Sequence, residues 1–152
     1  MAARRRNAGY SDSRRYSDWI ARASEDLSCA MLLLREDDCY NCIAFHCQQA
    51  IEKALKAYIL IKSNQLVDGH NLTWLCKQAV KYNQSFQVWL ADSAALNKCY
   101  IETRYPADMP PVLSYEMVRR YFQMARDMYT FICAEMDTLY TLNRVPPEQL
   151  TY

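Results

Sequence analysis

Glycine and proline are scarce in this sequence, which excludes folds that depend on many tight turns. The 152-residue chain has two glycines, Gly9 and Gly69, and five prolines. Three long stretches contain neither residue: 10–68, 70–105 and 112–145. Because both residues are the strongest helix breakers, these stretches are free to form long helices. No run alternates between polar and apolar residues as strands do, so the sequence predicts an all-α protein.

Long hydrophobic runs and a strong net charge are also missing. No apolar run approaches the ~20 residues that span a bilayer, so we expect no contact with a membrane. The start lacks the apolar stretch of a signal peptide. The formal net charge is +1, so no global basic field demands nucleic acid. Seven cysteines at helical spacings fit reduced thiols better than a disulfide framework, which predicts a cytoplasmic protein.

The length favours one domain with a tail at each end. A chain of 152 residues is long enough for one sizeable core. Five arginines lie among the first fifteen residues, which predicts a basic flexible tail over 1–15. The end of the chain contains two prolines and predicts a second flexible tail over 141–152. The helical bundle is expected over 16–140.

Apolar residues at helical spacing predict five helices. The first four are expected at about 17–35, 39–62, 72–82 and 86–103, and the fifth follows Ser114 and runs to about 139. Ser17 or Asp18 is the expected N-cap of the first helix, and Ser114 that of the last. Three long amphipathic helices and two shorter ones fit an antiparallel bundle of four to five helices.

The second predicted helix carries a polar stripe. Its segment AFHCQQAIEKALKAYI covers residues 44–59. On a helical wheel one broad arc is apolar, and five polar residues share the other arc: His46, Gln49, Glu52, Lys53 and Lys56. Gln48 lies apart from them. Glu52 and Lys56 have the spacing of an exposed ion pair worth about 0.2–0.5 kcal/mol. The residues alone indicate a solvated helix face, and a binding surface is the alternative.

Two cysteines precede this stripe in the sequence CYNC. Cys39 and Cys42 share a helix face with His46. A structural zinc site needs four ligands, usually from two elements, and the chain offers no second pair. We therefore expect buried or half-buried thiols at these positions and predict no metal site.

Two further places combine residues that are suited to ligands. His70 follows Gly69 at the start of the third predicted helix, where it is expected to cap or to pack, with ligand binding as the alternative. Arg104 and Tyr105 directly precede Pro106. An Arg and a Tyr at a loop mouth can hold a phosphate and stack a base. Arg104 can equally tie helices together through a carboxylate such as that of Glu52.

Four segments of the chain resemble the HEPN superfamily in content and in order. They are DWIARASEDL in the first helix, FHCQQAIEKALKAYI in the second, GHNL at the third and TRYP after the fourth. The similarity covers about residues 17–137. It implies a HEPN-like bundle of four or five helices, frequent homodimers and association with nucleotides or RNA. A homodimer is also consistent with apolar residues beyond the one inward-facing stripe that each helix needs for the core, namely Met124, Phe131 and Tyr140.

The ribonucleases of this family resemble one another in an Arg and a His separated by four to six residues. The cation stabilises charge on the phosphorus, and the imidazole moves a proton. In this chain the eligible positions after Arg104 are Met109, Pro110 and Pro111, and both histidines come earlier. We therefore expect no ribonuclease of that type, and the sequence favours a chain that is not an enzyme by itself.

Another branch of the family pairs with small nucleotidyltransferases and is similar to the helical domain of aminoglycoside nucleotidyltransferases. There a helical Glu serves as base and a Lys one turn later contacts phosphate, a spacing that Glu52 and Lys56 match. No segment resembles the Gly-Ser and Asp-x-Asp motifs of the transferase domain that holds Mg²⁺. The resemblance thus implies a domain without a cofactor of its own, working with a separate nucleotidyltransferase as in a toxin–antitoxin pair. ATP or GTP would bind with Mg²⁺ held by the partner.

The expected site for a nucleotide or an RNA phosphate combines these observations. The predicted binding residues are Gln49, Glu52, Lys53, Lys56, Arg104 and Tyr105, with His46 and His70 as secondary candidates. Glu52 is the candidate base in a partner complex. Two other hypotheses stay open: a structural module for helical dimerisation or interaction, in which the stripe is an interface, and a divergent HEPN ribonuclease.

Overall fold

The computed structural model of this chain describes residues 11–102, 106 and 112–137. Throughout these ranges the regular structure is helical, and the prediction of an all-α bundle is confirmed. The helices are α1 (Tyr16–Arg35), α2 (Tyr40–Ser63), α3 (Leu72–Val80), a 3₁₀ helix (Gln84–Trp89), α4 (Leu90–Asn97), α5 (Cys99–Glu102) and α6 (Tyr115–Asp137).

The prediction of one continuous helix over 86–103 is wrong, because this segment contains a 3₁₀ helix followed by two short α-helices. A 3₁₀ helix begins where the Asn83 side chain accepts a hydrogen bond from the Ser85 backbone N–H at 2.9 Å. It ends at Trp89, whose backbone (φ −94°, ψ 0°) lies outside the α region, so α4 starts afresh at Leu90. A single hydrophobic stripe does not reveal such a change of backbone angle.

Of the predicted N-caps, one is observed and the other two are not. Ser114 caps α6, because its hydroxyl accepts a hydrogen bond from the Met117 backbone N–H at 3.2 Å. Ser17 and Asp18 are not N-caps, since α1 begins at Tyr16 and its N-cap Arg15 makes no side-chain cap. Asp18 instead lies in the first turn, where a negative charge favours the helix dipole.

Helix α2 lies at the centre of the fold. It packs against α1, α3, α5 and α6, and a connection of only four residues joins it to α1. Residues 54–60 of α2 are all buried, whichever side of the helix they occupy. This part of α2 therefore has no solvated face, and Lys56 of the polar stripe lies within it. No helix in the described ranges is long and apolar enough to cross a bilayer.

Two of the three apolar residues that were expected to be left over for a dimer interface pack at least partly inside the bundle. The Phe131 ring lies 4.9 Å from the Phe86 ring and 5.5 Å from the Trp89 ring, centroid to centroid. Met124 also packs against the core. Tyr140 lies outside the described residues. Met124 and Phe131 are therefore used at least partly inside the bundle, and for Phe131 the reason is that the 3₁₀ helix supplies a second surface for α6 to pack on.

The cysteines also differ from the expectation. Cys39 and Cys42 are exposed, and Cys29 is exposed as well. Cys29 lies in α1, Cys39 is the N-cap residue of α2, and Cys42 lies in the first turn of α2. Among the described residues no three His, Cys, Asp or Glu side chains form a group that could hold a metal ion.

Candidate functional site

Two buried carboxylates organise the polar stripe of α2. Asp26 comes from α1 and Glu52 from α2 itself. Each carboxylate contacts one lysine ammonium and the Nδ1 atom of one histidine. The chain has only two histidines, and both are held in this way. The two clusters follow one another along the same helix.

The Glu52 carboxylate has four partners. Its Oε1 atom accepts a hydrogen bond from Lys56 Nζ at 3.0 Å and contacts His70 Nδ1 at 2.9 Å. Its Oε2 atom accepts hydrogen bonds from the amides of Gln48 and Gln49, both at 3.3 Å. An ionised carboxylate only accepts, so His70 must carry its hydrogen on Nδ1. The side chains of Glu52 and Lys56 are each 6% exposed.

His70 is held from three directions. Its Nδ1 atom contacts Glu52, and its backbone carbonyl accepts a hydrogen bond from Gln48 Nε2 at 3.2 Å. Its ring stacks on the ring of Tyr100 in α5, with centroids 5.0 Å apart and planes 10° apart. The expected capping role belongs to the next residue, because the Asn71 side chain accepts from the Trp74 backbone N–H at 2.9 Å.

The Asp26 cluster joins α1 to α2. The Oδ1 atom of Asp26 contacts His46 Nδ1 at 2.9 Å, and Oδ2 accepts a hydrogen bond from Lys53 Nζ at 2.5 Å. About a quarter of each partner side chain is exposed, 27% for His46 and 25% for Lys53. This cluster is therefore more open to solvent than the Glu52–Lys56 pair.

A groove of about 630 Å³ lies beside α1 and reaches Lys53. Its other lining includes Trp19 and the charged side chains of Asp12, Arg15, Asp18, Arg22 and Glu25. The Trp19 indole N–H donates to the Ser13 carbonyl at 2.8 Å, and Lys56 Nζ lies 5.6 Å from the Trp19 ring centroid. The hydrogen bond from Ser13, with Arg15 nearby, lowers the pKa of Asp18. Acidic and basic residues balance along this groove.

The structure gathers most of the predicted site residues. His46, Gln49, Glu52, Lys53, Lys56 and His70 all lie in the two clusters. The solvated-face interpretation is wrong for Glu52 and Lys56, which are buried, because α1 and the segment before α3 cover them. Gln48, expected to lie apart, is fully buried and bonded to Glu52. Arg104 and Tyr105 lie outside the described residues.

Sequence reasoning missed two members of the site, Asp26 and Tyr100. A signal for Asp26 was present, because it follows Ala23 by three residues and precedes Ala30 by four. A carboxylate on an apolar helix face is expected to have a partner when it is buried. No comparable signal exists for Tyr100, since the chain has twelve tyrosines and most fit helix stripes.

Comparison with known proteins agrees with the helical bundle. Residues 16–143 match the HEPN domain family, so the chain belongs to that family. Membership supports a function related to nucleotides or RNA, and HEPN domains commonly dimerise.

One solved structure with this fold is TT1696 from Thermus thermophilus. It superposes with a TM-score of 0.72 at 26% sequence identity, over 81% of this chain and 99% of that chain. No curated protein matches the sequence significantly.

Proposed function

We propose that this chain binds the phosphate of a nucleotide or of RNA on the polar face of α2. The observation that carries the proposal is the buried pair of Glu52 and Lys56, whose side chains are each 6% exposed. Replacing a buried ion pair by apolar residues is often neutral or stabilising, so such a pair is a poor way to gain stability. Its presence beside two histidines and Lys53 favours a role in binding.

The proposed contacts come from the whole stripe. Gln49 and Lys53 lie at its more open side, with Glu52 and Lys56 behind them. His46 and His70 flank these residues through their carboxylate partners. Arg104 and Tyr105 are proposed to join the site from the segment that follows α5.

We further propose that the domain works with a separate nucleotidyltransferase, as in a toxin–antitoxin pair. The support is the spacing of Glu52 and Lys56, which matches the HEPN branch associated with such enzymes. In the complex the partner would hold Mg²⁺ and ATP or GTP, and Glu52 would serve as the base. Co-purification of the tagged chain with the product of a neighbouring gene that carries Gly-Ser and Asp-x-Asp motifs tests this pairing. Purification of the chain without such a protein would contradict it.

We propose a homodimer as the assembly. HEPN domains commonly dimerise, and apolar side chains such as Leu32, Val88 and Tyr115 are exposed on the single chain. A stable interface of standard size buries about 1,200–2,000 Å². Sedimentation equilibrium at tens of micromolar protein should show the dimer, and a single monomeric species would contradict it.

Calorimetric titration with ATP, GTP and single-stranded RNA tests the binding proposal. Lys53→Met and Arg104→Ala should each weaken binding at least about tenfold, because a charge-assisted hydrogen bond contributes about 1.5–3 kcal/mol. Lys81→Met is the matched control, because Lys81 is exposed at the end of α3 and its ammonium bonds to Gln78, away from the stripe. The titrations are done with and without Mg²⁺.

A structural interaction module is the second candidate, and one observation favours it. Within the described residues Glu52 is fully engaged by side chains of the chain itself, and His70 and Gln48 tie α2 to the segment before α3. This module would give flat titrations with every ligand, together with loss of dimerisation when Glu52 is replaced. Loss of stability alone is expected under either function, because the Glu52 side chain is buried. A divergent ribonuclease would instead cleave single-stranded RNA in the presence of a chelator, and cleavage would fall in Arg104→Ala.

A further inference from the structure

The three ionisable members of the Glu52 cluster differ in how far they are exposed to solvent. The Glu52 and Lys56 side chains are each 6% exposed, whereas the His70 side chain is 54% exposed. Lys56 Nζ is also engaged by Glu52 and lies near the Trp19 ring. A ligand that arrives from solvent therefore meets His70 before it meets either partner of the buried pair.

The contacts of His70 leave one of its ring nitrogens for a ligand. Nδ1 is used by Glu52, and the ring plane is fixed by stacking on Tyr100. Nε2 makes no hydrogen bond to any residue that the structure describes. This arrangement, in which a carboxylate holds one imidazole nitrogen so that the other is presented, is how proteins orient functional histidines.

Charge compensation makes an anion acceptable at this place. Glu52 alone would repel a phosphate, but the ammonium of Lys56 lies 3.0 Å from the same carboxylate. When the His70 ring is protonated, both nitrogens carry hydrogens. Nε2 then donates to a phosphate oxygen while Nδ1 stays on Glu52, and the group of three side chains carries one net positive charge.

We propose that His70 is the group through which the buried network contacts a phosphate ester, and that Glu52 is a positioning residue for it. This inference rests on the proposed phosphate binding and reassigns its central contact from Lys56 to His70. The phosphate ester is that of a free nucleotide or of an RNA backbone, two sources with the same chemistry.

The contact should depend on pH, because imidazole side chains change charge between about pH 5 and 8. Among the described residues, the titratable groups in contact with the His70 ring are Glu52 on α2 and Tyr100 on α5, and Lys56 pairs with the same Glu52 carboxylate. His46, the other imidazole of the stripe, is paired separately with Asp26. For the RNA backbone, whose phosphodiester keeps one charge over this range, affinity is expected to be higher near pH 6 than near pH 8, and the change should shrink when His70 is replaced.

Two substitutions distinguish a role of His70 in contacting a ligand from a purely structural role in holding Glu52. In His70→Asn the side-chain amide takes the place of Nδ1–H and can still donate to Glu52, but nothing replaces Nε2. In His70→Gln the amide reaches the place of Nε2. Neither change removes a member of the buried Glu52–Lys56 pair, so both variants are expected to fold. Lys81→Met serves again as the control.

The probes are ATP and a short single-stranded RNA, titrated into each variant near pH 6 and near pH 8, beside thermal melts. We expect His70→Asn to lose at least about tenfold in affinity near pH 6 with little change in melting temperature, and His70→Gln to retain more. ATP affected alone identifies a nucleotide site, and RNA affected alone identifies a backbone site. Wild-type binding that His70→Asn leaves unchanged overturns this inference alone, whereas no binding of either probe by the wild type overturns the proposed function with it.

Discussion

Lys56 shows how much a single buried ammonium depends on its neighbours. Its hydrogen-bond partner among the described residues is Glu52, and its other close contact is the Trp19 ring. Taking an ammonium out of water is costly unless a partner of opposite charge compensates it. Lys56 is therefore a structural cation first, and any role in phosphate binding has to be compatible with that.

Removing one member of this pair should destabilise the fold strongly. We expect Glu52→Ala and Lys56→Ala each to lower the free energy of unfolding by about 3–5 kcal/mol, because each leaves a buried charge without its counter-ion. An exposed pair would contribute at most about 1 kcal/mol. Urea unfolding followed by circular dichroism measures the difference.

The double variant Glu52→Leu with Lys56→Met provides the control for that prediction. It removes both charges and keeps apolar volume, so it should be less destabilised than either single variant. Single variants that unfold at the urea concentration of the wild type would show that the pair is not buried in solution.

At the scale of the helices, apolar periodicity is enough to locate the long elements. The observed α1, α2 and α6 begin within one residue of their expected starts, because each carries a sustained stripe and is bounded by a polar connection. The break at Trp89 was not predictable, since a change of backbone angle leaves no mark on the hydrophobic pattern. The real start of α1 was missed because serine and aspartate are equally common at caps and in first turns.

The two serines proposed as caps give a matched pair for measurement. Ser114→Ala should lower the free energy of unfolding by about 0.5–2 kcal/mol, because it removes the acceptor for the Met117 N–H at the start of α6. Ser17→Ala should change it little, because Ser17 lies inside α1 and does not cap it. Equal effects of the two substitutions on chemical denaturation would contradict the observed helix starts.

At the scale of the molecule, the sequence predicts which residues share the charged face of α2, but not which other parts of the fold cover that face. A helical wheel shows that His46, Glu52 and Lys53 share a side. It does not show that α1 and the segment before α3 will cover that side, nor that Asp26 will arrive from α1. Those facts depend on how separate helices pack against one another. The same limit explains why Cys39 and Cys42, which are exposed, were expected to be buried or half-buried.

Thiol reactivity tests the arrangement of the whole bundle. Three cysteines are exposed, Cys29, Cys39 and Cys42, and the other four are buried. Burial raises the pKa of Cys47 well above its ordinary value, so that thiol is poorly reactive on two counts. We expect an aromatic disulfide reagent to modify three thiols of the native protein quickly and all seven after denaturation.

Among the exposed thiols, Cys39 should react more slowly than Cys29. The negative charge of Asp38 raises the pKa of Cys39 and so lowers its thiolate fraction at neutral pH. Mass spectrometry of partially labelled protein gives the order of modification. Fast labelling of Cys47 or Cys133 in the native state would mean that the bundle is more open than described.

The most direct test of phosphate binding on α2 is a nuclear magnetic resonance titration of isotopically labelled protein with ATP and with a short RNA. We predict that the largest chemical-shift changes fall on the side chains and amides of the stripe, at His46, Gln49 and Lys53, and on the His70 ring. Resonances of α6, on which none of the proposed contacts lies, should move little. Spectra that stay unchanged at millimolar ligand, or shifts confined to α6, would contradict the account.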